Sequence, residues 1–169
     1  MDDAALTRLA ARIGRKLLGA RLRVVTAESC TGGWVAKVLT DTPGSSGWLE
    51  SGYVTYSNEA KRRALGVTVR TLRRFGAVSE QAVREMARGA LRATGVELAI
   101  AVSGIAGPEG GTAAKPVGTV WFCVARWRGK TVTTSTALGR FKGDRDTVRR
   151  KSVERALRLI DRQAARGAR

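Results

Sequence analysis

The sequence predicts an α/β protein, a three-layer α/β/α sandwich around one mixed, mostly parallel sheet. Three observations carry this expectation. Helical and strand-like periodicities alternate along the chain. Residues 96–105 (VELAIAVSGI) are apolar almost throughout, as a central strand covered on both faces requires. Two β-branched runs between about 118 and 140 then supply an antiparallel hairpin. The 169 residues suit one domain with its own core, and no repeat or linker divides 1–169.

Each element follows from local pattern. Leu6, Leu9, Ile13, Leu17 and Leu18 recur at spacings of three and four, predicting an amphipathic first helix. Residues 22–28 (LRVVTAE) are β-branched and read as a buried strand. Gly32 and Gly33 then turn the chain into a helix over 34–41, so TAESCTGG occupies a strand-to-helix turn. Pro43 to Gly47 form a loop. Residues 50–57 (ESGYVTYS) alternate as a second strand, and 58–66 and 71–76 are short helical pieces. Ser79 is the expected N-cap of a helix that places Val83, Met86, Ala87, Ala90 and Leu91 on one face. After the central strand, 107–116 form a glycine-rich loop. The hairpin strands, 117–127 and 130–141, are expected to turn at Arg128-Gly129. Asp144 caps a last helix carrying Val148, Val153, Ala156, Leu157 and Ile160, with fraying from 162 onward.

Composition narrows the function classes. The chain has no histidine, and Cys30 and Cys123 lack metal-ligand spacing, which argues against a disulfide framework and a conventional zinc site. No cofactor or metal is expected. No apolar run approaches the ~20 residues a membrane span needs. The N-terminal segment opens acidic and is broken by arginines, unlike a signal peptide, so a cytoplasmic protein without a membrane partner is expected. The formal charge is +17. Its carriers, among them Arg8, Arg12, Arg62, Arg73, Arg92 and Arg158, are scattered. No basic strand interleaved with aromatics appears. This favours a basic surface with a small anionic ligand over a dedicated nucleic-acid binder, although nucleic acid stays a possible partner. A homo-oligomer is expected. Trp34, Trp48, Trp121 and Trp127 suit either an interface or the core.

In an open α/β sheet, ligands gather beyond the C-terminal ends of the strands. Three segments fall there: ESCTGG, YSNEAK and SGIAGPEGG. In the first, Ser29 and Cys30 are rival nucleophiles, and the backbone N–H groups from Cys30 through Thr31, Gly32 and Gly33 could hold an oxyanion. By itself this segment reads as an ordinary turn. Without histidine, a serine needs another base. Lysine serves when burial or nearby cations lower its pKa toward roughly 7–8. Lys61 follows a strand expected beside the first, with Arg62 and Arg63 directly after it. Tyr56 is near enough to relay a proton or orient the amine, while a solvated surface lysine is the plain alternative. Cys30 reads equally as an inert buried residue. Gly104, Gly107, Gly110 and Gly111 could wrap an anion or simply structure a loop. Arg145 could contact a phosphate or be an ordinary surface residue.

The segments TAESCTGG, GYVTYSNEAK, GAVSEQ, SGIAGPEGG, KPVGTVWF and GDRD follow one another in an order and spacing that resemble the CinA C-terminal domain family, the nicotinamide-nucleotide amidohydrolases. The resemblance covers almost the whole chain and is closest to the stand-alone members. It implies hydrolysis of the carboxamide of nicotinamide mononucleotide to nicotinate mononucleotide and ammonia, in pyridine nucleotide salvage, by a serine–lysine mechanism without metal. It places the nucleophile on Ser29, the general base on Lys61 and the accompanying tyrosine on Tyr56. Cys30, Thr31, Gly32 and Gly33 match the region around the reacting carboxamide. Ser103 to Gly111 and Arg145 match segments lining the nucleotide pocket. Two rivals stand beside this reading: a non-catalytic nucleotide binder and a basic DNA-associated protein.

Overall fold

The computed structural model describes residues 1–165. In chain order the elements are α1 (Asp3–Gly19), β1 (Val24–Glu28), α2 (Trp34–Thr40), a short 3-10 turn (Ser45–Gly47), β2 (Leu49–Val54), α3 (Asn58–Leu65), α4 (Val69–Phe75), α5 (Glu80–Thr94), β3 (Leu98–Gly104), β4 (Thr119–Arg128), β5 (Thr131–Arg140) and α6 (Arg145–Ala165). The five strands form one sheet in the order β2-β1-β3-β4-β5. β1 lies parallel to both β2 and β3, whereas β3–β4 and β4–β5 are antiparallel. Only β4 therefore runs against the other strands, which makes the sheet mixed and mostly parallel, as expected.

Strand alternation assigns each side chain to a face. Val24, Leu98, Ile100 and Val102 pack with Leu6, Ile13 and Leu17 of α1 and with Val153, Leu157 and Ile160 of α6. Val25, Ala27, Ala99 and Ala101 pack instead with Val83, Met86, Ala90 and Leu91 of α5. The sheet is thus sandwiched between α1, α2 and α6 on one side and the α3–α5 group on the other. α3 sits close to α5 because Gly89 has no side chain: a Cβ there would lie 1.9 Å from the Leu65 carbonyl oxygen.

The structure corrects several sequence expectations. β2 ends at Val54 rather than 57. Thr55 makes the last bond to β1, its N–H donating to the Glu28 carbonyl at 2.8 Å. Ser57 becomes the N-cap of α3, accepting from the Ala60 N–H. The hairpin turns through Gly129 and Lys130, one residue later than expected, because Gly129 takes the left-handed conformation at φ 59°. Leu18 is 48% exposed and lies off the apolar stripe of α1. α6 stays helical through 162–165, with Ala164 buried against the core; residues 166–169, also expected to fray, lie outside the described residues. Of the four tryptophans, Trp48 is buried in the core and Trp34, Trp121 and Trp127 are half-buried. Among the described residues no helix is long and apolar enough to cross a membrane.

Candidate active site

Ser29 begins the turn at the end of β1. Its N–H donates to the Val102 carbonyl at 3.0 Å, which extends the pairing with β3 by one residue. Its own carbonyl accepts from the Gly32 N–H at 3.1 Å, which closes the turn. Gly32 and Gly33 adopt φ 62° and 90°, where a side chain would be strained. Gly33 as N-cap has no side chain to offer α2. Glu28 takes that role from the neighbouring strand. Its carboxylate is buried and accepts from the N–H groups of Val35 (3.0 Å) and Ala36 (2.9 Å) and from the Thr26 hydroxyl (3.1 Å). One carboxylate thereby fixes the strand end to the helix start.

Lys61 and Leu65 are the two buried residues of α3, one helical turn apart on its inner face. Lys61 is only 1% exposed. Its Nζ lies 3.0 Å from Ser29 Oγ, 2.7 Å from the Thr55 carbonyl oxygen and 3.1 Å from that of Tyr56. Burial lowers its pKa from 10.5 to about 8. A neutral amine has two hydrogens and one lone pair. The two carbonyls take the hydrogens, which leaves the lone pair for the Ser29 hydroxyl proton. The expected help from Arg62 and Arg63 is not what lowers the pKa. Both are turned outward and paired with Glu59, each at 2.6 Å.

Tyr56 joins the site differently from the expectation. Its backbone carbonyl holds the lysine, while its ring is 61% exposed and its hydroxyl lies 3.1 Å from an Arg145 guanidinium nitrogen. Arg145 also donates to the Gly107 carbonyl at 2.7 Å, so α6 touches both the glycine-rich loop and Tyr56. Cys30 is buried and its thiol is pushed up to about 12 by desolvation, which disfavours the thiolate a nucleophile needs.

The turn's backbone donors divide. The Gly32 N–H is used within the turn. Those of Cys30, Thr31 and Gly33 meet no hydrogen-bond partner among the described residues. The third segment is tied up structurally. The Ser103 hydroxyl donates to the Ala77 carbonyl at 2.9 Å, away from a ligand role. Gly104 lies where a Cβ would approach Val120 to 2.6 Å, and Gly107 and Gly111 are pressed against Val117. Gly110 is exposed with φ 86°. Lys115 anchors this loop to the end of α4 through the Phe75 carbonyl at 2.7 Å.

Sequence reasoning passed over three residues. Glu28 had a signal, a carboxylate ending an otherwise uncharged buried strand. Thr55 contributes a carbonyl to the lysine, and backbone roles leave no side-chain signature. Arg149, one turn beyond Arg145, donates from Nε to the Cys30 carbonyl (3.2 Å) and from Nη2 to the Thr31 carbonyl (3.1 Å). Among the described residues no group of three or more acidic, cysteine or histidine side chains is placed to hold a metal ion.

Fold and site together define an α/β protein with a buried serine–lysine pair at the C-terminal edge of a mixed sheet. The chain belongs to the CinA C-terminal domain family, whose sequence model matches residues 6–164. It is 52% identical over 163 residues to a protein of Escherichia coli named nicotinamide-nucleotide amidohydrolase PncC, covering 96% of this chain and 97% of that one. A protein of Pseudomonas putida with the same name is 50% identical over 152 residues, with 90% and 92% covered. Among solved structures, the competence damage-inducible protein A of Klebsiella pneumoniae superposes with a TM-score of 0.89 at 43% identity, over 95% of this chain and 97% of that chain.

Proposed function

We propose that this chain hydrolyses the carboxamide of nicotinamide mononucleotide, in the cytoplasm, releasing nicotinate mononucleotide and ammonia for pyridine nucleotide salvage. Relatives that bear the name nicotinamide-nucleotide amidohydrolase and match nearly end to end support the reaction class. The observation that carries the chemistry is the 3.0 Å contact between Lys61 Nζ and Ser29 Oγ in a buried setting.

The steps follow from that contact. Neutral Lys61 takes the Ser29 proton as Oγ bonds to the carboxamide carbon. Free N–H groups of the Cys30–Gly33 turn receive the oxyanion, an effect worth ~3 kcal/mol per donor. Lys61 returns the proton to the amide nitrogen as the C–N bond breaks, and ammonia leaves. Water then attacks the acyl-enzyme, giving a proton to Lys61, and the carboxylate product departs as Ser29 is reprotonated. The cationic pyridinium ring makes the carboxamide a better electrophile, so the nucleotide is preferred over free nicotinamide. Arg145, beside the glycine-rich loop, is positioned to receive the ribose phosphate.

The test is ammonia and nicotinate mononucleotide production from nicotinamide mononucleotide by the parent protein and by Ser29→Ala. A folded Ser29→Ala variant is expected to be inactive. Normal turnover by that variant would remove serine from the nucleophile role, and an inactive parent would overturn the reaction itself.

A further inference from the structure

We infer that Arg149 is a positioning residue for the oxyanion site, holding two consecutive peptide groups so that the Thr31 N–H faces the reacting carboxamide. This rests on the reading of Ser29 as nucleophile.

A trans peptide is planar, with its C=O and N–H pointing in opposite directions. Anchoring the Cys30 carbonyl therefore aims the Thr31 N–H, and anchoring the Thr31 carbonyl aims the Gly32 N–H. Arg149 anchors both from one edge of its guanidinium, through Nε at 3.2 Å and Nη2 at 3.1 Å. The Gly32 N–H is consumed by the Ser29 carbonyl at 3.1 Å, which closes the turn over the nucleophile. The Thr31 N–H has no partner among the described residues, although Thr31 is fully buried. Buried backbone donors are very rarely left unpaired in a folded protein. That N–H lies two residues after Ser29 in the same turn, where it would meet an oxygen that becomes anionic only during the reaction.

The guanidinium is itself held in place. It lies 5.3 Å from the centroid of the Trp34 ring, and Arg150 lies 4.9 Å from the same ring. Arg150 is in turn paired with Asp3 of α1. Arg145 and Arg149 are four residues apart on α6, hence on one face. The first reaches Tyr56 and the glycine-rich loop; the second reaches the turn. Lysine at 149 would supply a single flexible point of donation and lacks the planar fork that meets two carbonyls at once.

The experiment compares steady-state turnover of nicotinamide mononucleotide by the parent, Arg149→Ala and Arg149→Gln, with and without guanidinium chloride at concentrations below those that affect folding. Thermal melts are recorded alongside. Arg149→Ala is expected to lose about 100-fold in kcat with KM within about twofold of the parent. Guanidinium is expected to restore part of that kcat without changing KM. A folded variant with kcat within about threefold of the parent overturns the inference. So does a loss that guanidinium leaves unrepaired, since that marks a purely structural tie. Arg149→Gln retains one donor for one carbonyl and carries the same test if the alanine variant does not fold; failure of both to fold also counts against the inference. Activity retained by Ser29→Ala, or absent from the parent, would instead overturn the functional reading.

Discussion

Lys61 Nζ lies 3.0 Å from Ser29 Oγ, and its other two partners are backbone carbonyls, those of Thr55 and Tyr56. Among the described residues no carboxylate partners the amine, so nothing there fixes it as an ammonium ion. Lys61→Ala and Lys61→Arg should therefore both lose at least ~100-fold in kcat. Arginine cannot give up its proton near neutral pH. Appreciable activity in Lys61→Arg would show that the lysine acts as a cation rather than as a base.

The same amine sets the pH response. With a pKa of about 8, roughly one-tenth of the lysine is neutral at pH 7. Activity should rise with pH through about 8 and then level off, which a kcat/KM profile will read. A flat profile across that range would exclude Lys61 as the titrating base.

Stability should follow a linked course. The folded pKa, about 8, lies below the unfolded value of 10.5, so the unfolded chain binds more protons between them. The parent should gain stability relative to Lys61→Met as pH rises through that window, by up to about 3 kcal/mol. Below it, the cost of the buried ammonium is present in full. Urea denaturation of both proteins at the two ends of the window measures the difference.

Cys30→Ala should retain most of its turnover, because burial holds the thiol protonated. An inactive but folded Cys30→Ala beside an active Ser29→Ala would transfer the nucleophile to the cysteine. Arg145→Ala should act mainly on KM, raising it about tenfold. An unchanged KM would place the phosphate elsewhere.

Glu28→Ala should destabilise the protein by about 2–4 kcal/mol, since it leaves the N–H groups of Val35 and Ala36 without their buried acceptor. Glu28→Gln keeps one carbonyl oxygen and should cost less. Equal stability of Glu28→Ala and the parent in chemical denaturation would contradict the capping role.

The fold was legible because its signals are local and redundant. The apolar run of β3, the stripe of α5 and the Asp144 and Ser79 caps each read correctly from a few residues. The pairing of Ser29 with Lys61 across 32 positions was readable as one candidate from a lysine following the strand beside the serine's, and the family's motif order singled it out. Tyr56 shows the limit. Its place in the segment was visible, but whether its ring or its carbonyl meets the amine depends on where β2 ends, and β2 ends three residues early. The arginines after Lys61 misled for a similar reason: a helix turns consecutive residues to different faces, and Glu59 is close enough to take both.

Gly89 never approaches Ser29, yet it governs how deep Lys61 can sit. Leu65 backs onto it, and Lys61 rides the same short helix one turn upstream. A methyl group at 89 would wedge the two helices apart and withdraw the amine from its alcohol. The reach of Lys61 toward Ser29 is thus gauged by a spacer of zero size.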